Sequence, residues 1–154
     1  MINSRKKMIC VIGLGNTLRG DDGIAAYVCN ALESAGYNHV AIHLTQQLDI
    51  SWAEKLKTFR DVIIVDASVN NEDVEFKKIE TGNTKQQSSS HHIHPGILAA
   101  LTNQLYKTDI HFYTCAIKGY DFEFEERLSE QALANANKAV ALIKEFLNND
   151  RVSE

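Results

Sequence analysis

Four apolar runs of strand length, "MICVIGL" (Met8–Leu14), "HVAIHL" (His39–Leu44), "DVIIVDA" (Asp61–Ala67) and "DIHFYTCAI" (Asp109–Ile117), alternate with segments whose apolar residues recur every three or four positions. Strands covered on both faces read as continuous apolar runs, and helices laid over them read as one-sided stripes. The pattern therefore predicts an α/β three-layer sandwich, a mostly parallel twisted sheet with helices on both faces. The helix after the first run places Ile24, Val28, Ala31 and Leu32 on its inward stripe and stops at Gly36, a residue suited to a helix C-terminus. The last helix repeats Leu133, Ala136, Val140, Ile143 and Leu147, with Asn, Lys and Glu on its other side and Ser129 as its N-cap. "DISWAEKLKTF" and "GILAALTNQLY" read as shorter helices, and "VEFKKIE" as an exposed strand with charges on one side. The polar stretch Thr81–Ser90 runs directly into "HHIHPG".

Length and charge narrow the function. A chain of 154 residues is expected to form one domain, 1–154, with a single substantial core. A net charge of -4 gives no reason to expect nucleic acid as a partner. The start "MINSRKKMICVIGLG" has a basic lead, but its apolar run is cut short by a glycine turn and then carboxylates, so it reads as a first strand rather than a secretion signal or a membrane span. Cys10, Cys29 and Cys115 are odd in number and widely spaced, which suggests neither a disulfide framework nor a cysteine-rich zinc site. A cytoplasmic monomer without nucleic-acid or membrane partners is the expectation.

The turn "VIGLGNTLRGDDG" (Val11–Gly23) poses the chemical question. A dinucleotide fingerprint needs a third glycine where Leu18 stands; a P-loop needs lysine and a hydroxyl where Asp21 and Asp22 stand. Two carboxylates repel a phosphate, and they already satisfy the preference of a helix start for negative charge. The turn therefore favours a cation. Taken alone, Asp21 reads as a helix cap, and Asp22 would read the same way without partners arriving from elsewhere.

Ligands in open parallel sheets bind at the carboxyl ends of strands. Asp22 follows the first strand, and Asp66 closes "DVIIVD" after four apolar residues, at a lip where an unpaired charge is costly. Read alone, Asp66 is equally a turn residue. His91, His92 and His94 cluster after the polar loop and offer an imidazole. Two carboxylates and an imidazole suit zinc, nickel, iron or manganese. His39, His43 and His111 lie in or beside strands, where structural roles are expected.

These residues resemble the hydrogenase maturation proteases, endopeptidases that trim the C-terminal tail of nickel-iron hydrogenase large subunits. The likeness spans nearly the whole chain through "GLGNTLRGDDG", "VIIVDA", "SHHIHPGIL" and "YDFEFEERLS". It implies a nickel-recognising triad of Asp22, Asp66 and His91, which serve as both metal and catalytic residues, with Asn16 supporting the loop or the substrate peptide. It also implies that nickel arrives in the large-subunit precursor, so that the nickel-loaded precursor binds better than the empty one; another divalent metal could occupy the isolated protein. Departures are Asp22 where some members carry Glu, Ala25 in place of a glycine, and Glu125 and Glu130 where Gly and Pro are usual. The last two bear on which substrate is recognised. Two other classes compete, a non-catalytic nucleotide-binding α/β domain and a self-contained zinc-type metallohydrolase. No GxSxG or HExxH motif occurs, and Cys10 and Cys29 read as packing residues rather than nucleophiles.

Overall fold

The computed structural model describes residues 7–80 and 93–152. The elements run β1 (Ile9–Leu14), a 3-10 turn (Gly20–Gly23), α1 (Ile24–Ala35), β2 (Val40–Thr45), α2 (Trp52–Leu56), β3 (Asp61–Ser68), β4 (Val74–Lys78), α3 (Pro95–Tyr106), β5 (His111–Lys118) and α4 (Glu130–Val152). One sheet holds all five strands in the order β2-β1-β3-β5-β4. β1, β2, β3 and β5 are parallel, and β4 lies antiparallel to β5 on the edge. The link from β3 to β4 is too short for the crossover that a parallel return requires, so the chain reverses. This is the expected three-layer α/β architecture.

The period of two along each strand divides the core between the two faces. Ile9, Val11, Ile63, Val65, Cys115 and Ile117 face α1 and α4. Cys10, Ile12, Val62, Ile64 and Phe112 face α2 and α3. The thiols of Cys10, Cys29 and Cys115 are free and buried, and burial pushes each up to about 12, so they pack as small apolar groups. No described helix is long and apolar enough to cross a membrane.

Several local expectations are met. Gly36 caps α1 in the left-handed conformation, and Ser129 Oγ accepts from Ala132 N at the start of α4. The inward faces of the helices differ by about one position from the predicted stripes. In α4 the fully buried residues are Ala132, Ala136, Ala139, Ile143 and Leu147, whereas Leu133 is 39% exposed. Alanines at the contact let α4 sit close to the sheet and α1, where a leucine would hold it away. In α1, Ala25 and Cys29 are buried with Ile24, Val28 and Leu32, and Ala31 is only half-buried. Tyr27 and Tyr37 then tie the α1 side to α4 through hydroxyl bonds to Asn137 and Asn148.

The register makes a direct prediction. Leu32→Ala should cost about 2–5 kcal/mol of unfolding free energy, and Leu133→Ala no more than about 0.5 kcal/mol, in urea melts. A larger loss at Leu133 would contradict the inward face assigned to α4.

Candidate functional site

The site begins where β1 ends. β1 pairs with β3 only as far as Gly13 opposite Val65, while β3 continues beside β5 through Asp66, Ala67 and Ser68. Asp66 was expected to close its strand; it lies instead within β3, at the first position past the reach of β1. The pairing with β5 carries the strand onward, and the end of β1 leaves Asp66 without a β1 partner, at the level where the glycine turn begins. By alternation its side chain falls on the face of Ile64, toward α3. There it lines a cleft of about 780 Å³ together with Ser68, Lys77, Glu80, His94 and Thr114.

The glycine turn is shaped around Asp22. Asn16 N donates to Asp22 Oδ2 at 2.7 Å, and Leu18 N donates to Asn16 Oδ1 at 2.9 Å. Gly15 adopts φ +142°, and a Cβ there would stand 2.1 Å from the Asp22 carbonyl oxygen, so only glycine lets the turn close on the acid. A backbone amide of the kind that would hold a phosphate is thus bonded to the protein's own carboxylate, which argues against the nucleotide-binding alternative. Asn16 supports the loop, as expected.

Asp22, in the 3-10 turn, lies near enough to Asp66, in β3, for its charge to act on it. Burial, and after it the negative charge of Asp22, push the Asp66 carboxyl up to about 7. Two acids near one rim, one of them holding its proton close to neutrality, form half of a site for a divalent cation or for proton transfer. Among the described residues no group of three or more His, Cys, Asp or Glu is placed to hold a metal. His91, the expected third ligand, lies outside the described residues, as does His92. His94 is described: its Nδ1 accepts from Gly96 N at 3.0 Å and caps α3, and burial lowers its pKa. It therefore serves as a helix cap on the wall of the Asp66 cleft. His43 packs edge-on against Trp52, and His39 against Tyr37, in the structural roles expected of them.

Asp21 does something the sequence did not reveal. It is not a cap for its own helix, since neither the 3-10 turn nor α1 has a side-chain cap bond. Its carboxylate, 0% exposed, accepts from Tyr120 N, Asp121 N, Ser129 N and Ser129 Oγ at 2.7–2.8 Å. Burial alone would raise its pKa, but the bonds from Ser129, Tyr120 and Asp121 outweigh that and hold the carboxyl below its ordinary value. Two backbone bonds, Asp21 N to Asp121 O and Gly20 N to Glu125 O, complete the seam between the turn and the loop joining β5 to α4. The only sequence signal was Ser129, recognisable as a cap but not as a partner of Asp21, which lies about a hundred residues away.

No protein-family model matches the sequence, and no curated protein matches it. Solved structures do. The hydrogenase maturating endopeptidase HybD from E. coli superposes with a TM-score of 0.73 at 18% identity, over 93% of each chain. The [NiFe] hydrogenase maturation protease HycI from Thermococcus kodakarensis gives 0.71 at 24% identity over 96% of each chain. A hydrogenase 2 maturation peptidase from a Thaumarchaeota archaeon gives 0.69 at 20% identity, over 92% of this chain and 98% of that one. The chain has the fold of the hydrogenase maturation proteases. Within that fold, Asp22 and Asp66 occupy the carboxyl rim of the parallel strands, where open α/β sheets bind ligands.

Two measurements test this electrostatic picture. With a native pKa near 7 against about 3.8 unfolded, Asp66 keeps in the fold a proton that the unfolded chain gives up, so stability contributed at low pH is lost as pH rises from about 4 through 7. Asp66→Asn should remove that slope and raise the melting temperature at pH 8 by at least about 3 °C, with little change at pH 4. Asp21→Ala strands buried donors and should cost at least about 3 kcal/mol in urea melts.

Proposed function

We propose that this chain is an endopeptidase that removes the C-terminal extension of a nickel-iron hydrogenase large-subunit precursor and recognises nickel already mounted in that substrate. The observation that carries the reading is that the charge of Asp22 reaches the half-buried Asp66 at the carboxyl ends of the parallel strands, in a fold also seen in hydrogenase maturation proteases. Two carboxylates leave coordination positions open and suit a metal that brings ligands of its own. His91 is proposed as the third protein ligand.

The chemistry of the described residues supports this division. Asp22 is oriented by the Asn16 amide through Oδ2, which leaves Oδ1 to meet the cation. Asp66, with its carboxyl at about 7, gives up a proton when a cation is bound beside it. That proton is then available in the cleft for the departing amine, and Asp22 or Asp66 can manage proton transfer at the scissile bond. Nickel in the substrate polarises the carbonyl or the attacking water. Precursor without nickel leaves both acids uncompensated and binds weakly, which discriminates loaded from empty substrate.

Incubation of the chain with large-subunit precursors, with and without nickel, should release a short C-terminal peptide only from the nickel-loaded form. Asp22→Ala, Asp66→Ala and His91→Ala should each reduce cleavage at least about a hundredfold and leave the circular dichroism spectrum unchanged. Full activity in all three variants would refute the proposal. Stoichiometric zinc that survives dialysis, with cleavage independent of nickel, would point instead to a self-contained metallohydrolase.

A further inference from the structure

We infer that the loop joining β5 to α4 is a docking arm for the protein substrate, with Phe124 as its anchor and a carboxylate fringe that selects a basic, apolar patch on the precursor. This rests on the endopeptidase reading.

The loop presents apolar surface in a way that packing does not explain. Phe124 is 80% exposed, whereas Tyr120 is engaged by Lys118 over its ring and by Asn135 at its hydroxyl. A phenylalanine on a loose loop could fold back against the protein, but this loop is held on both sides of Phe124. Asp21 accepts from the amides of Tyr120 and Asp121 before it and from Ser129 after it. Gly20 N donates to Glu125 O at 2.7 Å, next to Phe124 itself. Inside the loop, Glu123 N donates to Asp121 Oδ1, and Glu125 N to Glu123 O. Gly20, at φ +53°, is the close-approach point, since a Cβ there would stand 2.4 Å from the Asp121 carbonyl oxygen. The backbone that carries Phe124 is thus held before any partner arrives, which lowers the ordering cost of binding and suits an aromatic anchor.

The same seam sets the arm beside the site. Gly20 and Asp21, which bind the loop, directly precede Asp22 in the 3-10 turn. A body docked on Phe124 therefore lies one backbone bond, Glu125 to Gly20, from the turn that carries Asp22, and Leu18 on the same turn is 42% exposed. The charge of the loop specifies the partner. Asp121, Glu123, Glu125 and Glu126 stand against one guanidinium, Arg127, which pairs with Glu125 at 3.7 Å. A complementary surface has an apolar pocket rimmed by Lys or Arg, and its encounter weakens as salt rises.

Steady-state cleavage of nickel-loaded large-subunit precursor tests the inference. Phe124→Ala should raise KM about tenfold with kcat within about twofold of wild type, and Phe124→Leu should restore most of the loss. Glu123→Gln combined with Glu126→Gln should raise KM at low ionic strength and flatten its salt dependence. Leu105→Ala, at an exposed leucine near the C-terminal end of α3, is the control and should change neither constant. Cleavage by wild type with an unchanged KM in Phe124→Ala overturns the docking arm and leaves the endopeptidase reading standing. Failure of wild type to cleave the loaded precursor removes both.

Discussion

The arrangement of the site depends on the buried carboxylate of Asp21. A charge removed from water is tolerated only when its lone pairs are met, and here donors from Tyr120, Asp121 and Ser129 meet them. The consequence reaches beyond local satisfaction. The turn after the first strand and the loop before the last helix become one rigid body, and the N-terminus of α4 is placed by the same contact. Asp22, the next residue, inherits its position from this anchor. Adjacent acids of identical type thus differ in environment, Asp21 buried among four donors and Asp22 held at the turn by the Asn16 amide.

Asp66 is the opposite case. Its carboxyl is half-buried with the charge of Asp22 nearby, and its pKa rises because little around it favours ionisation. Such a group weakens the fold at neutral and alkaline pH, and its retention is understandable if a cation supplies the missing partner during function. The contrast between Asp21 and Asp66 separates a carboxylate that stabilises from one held in reserve.

Much of this was legible along the chain because it is periodic. Runs such as "DVIIVDA" and the stop at Gly36 place strands and helix ends by local physics, so layers and mostly parallel order follow. That Asp22 and Asp66 lie toward the same end of the sheet could be anticipated from their places after the first strand and at the end of "DVIIVD". What could not be read are contacts between residues distant in sequence. Asp21 looked like a cap because a cap needs only neighbours, whereas its donors lie about a hundred residues away. The inward face of α4 was misjudged at Leu133 because hydrophobicity ranks leucine above alanine, whereas close helix packing favours the smaller residue. The histidine cluster offered several equivalent imidazoles, and only His94 falls among the described residues, engaged as the cap of α3.

The reach of β3 past the end of β1, which carries Asp66, has its own cause, and it runs through the edge strand. β3 outreaches β1 because β5 accompanies it to Ser68 opposite Lys118. β5 is in turn held on its other side by β4, with Val74 opposite Ile117 and Glu75 opposite Ala116. Asn71 Nδ2 donates to Ala116 O at 3.0 Å, and Lys118 N donates to Asp73 O at 2.7 Å, so the β3–β4 link also grips the end of β5. Without that antiparallel edge the last residues of β5 would lose half their partners, and the extension of β3 that carries Asp66 would lose its support. The charged strand that looks peripheral in the sequence therefore helps to set the position of Asp66 in its cleft.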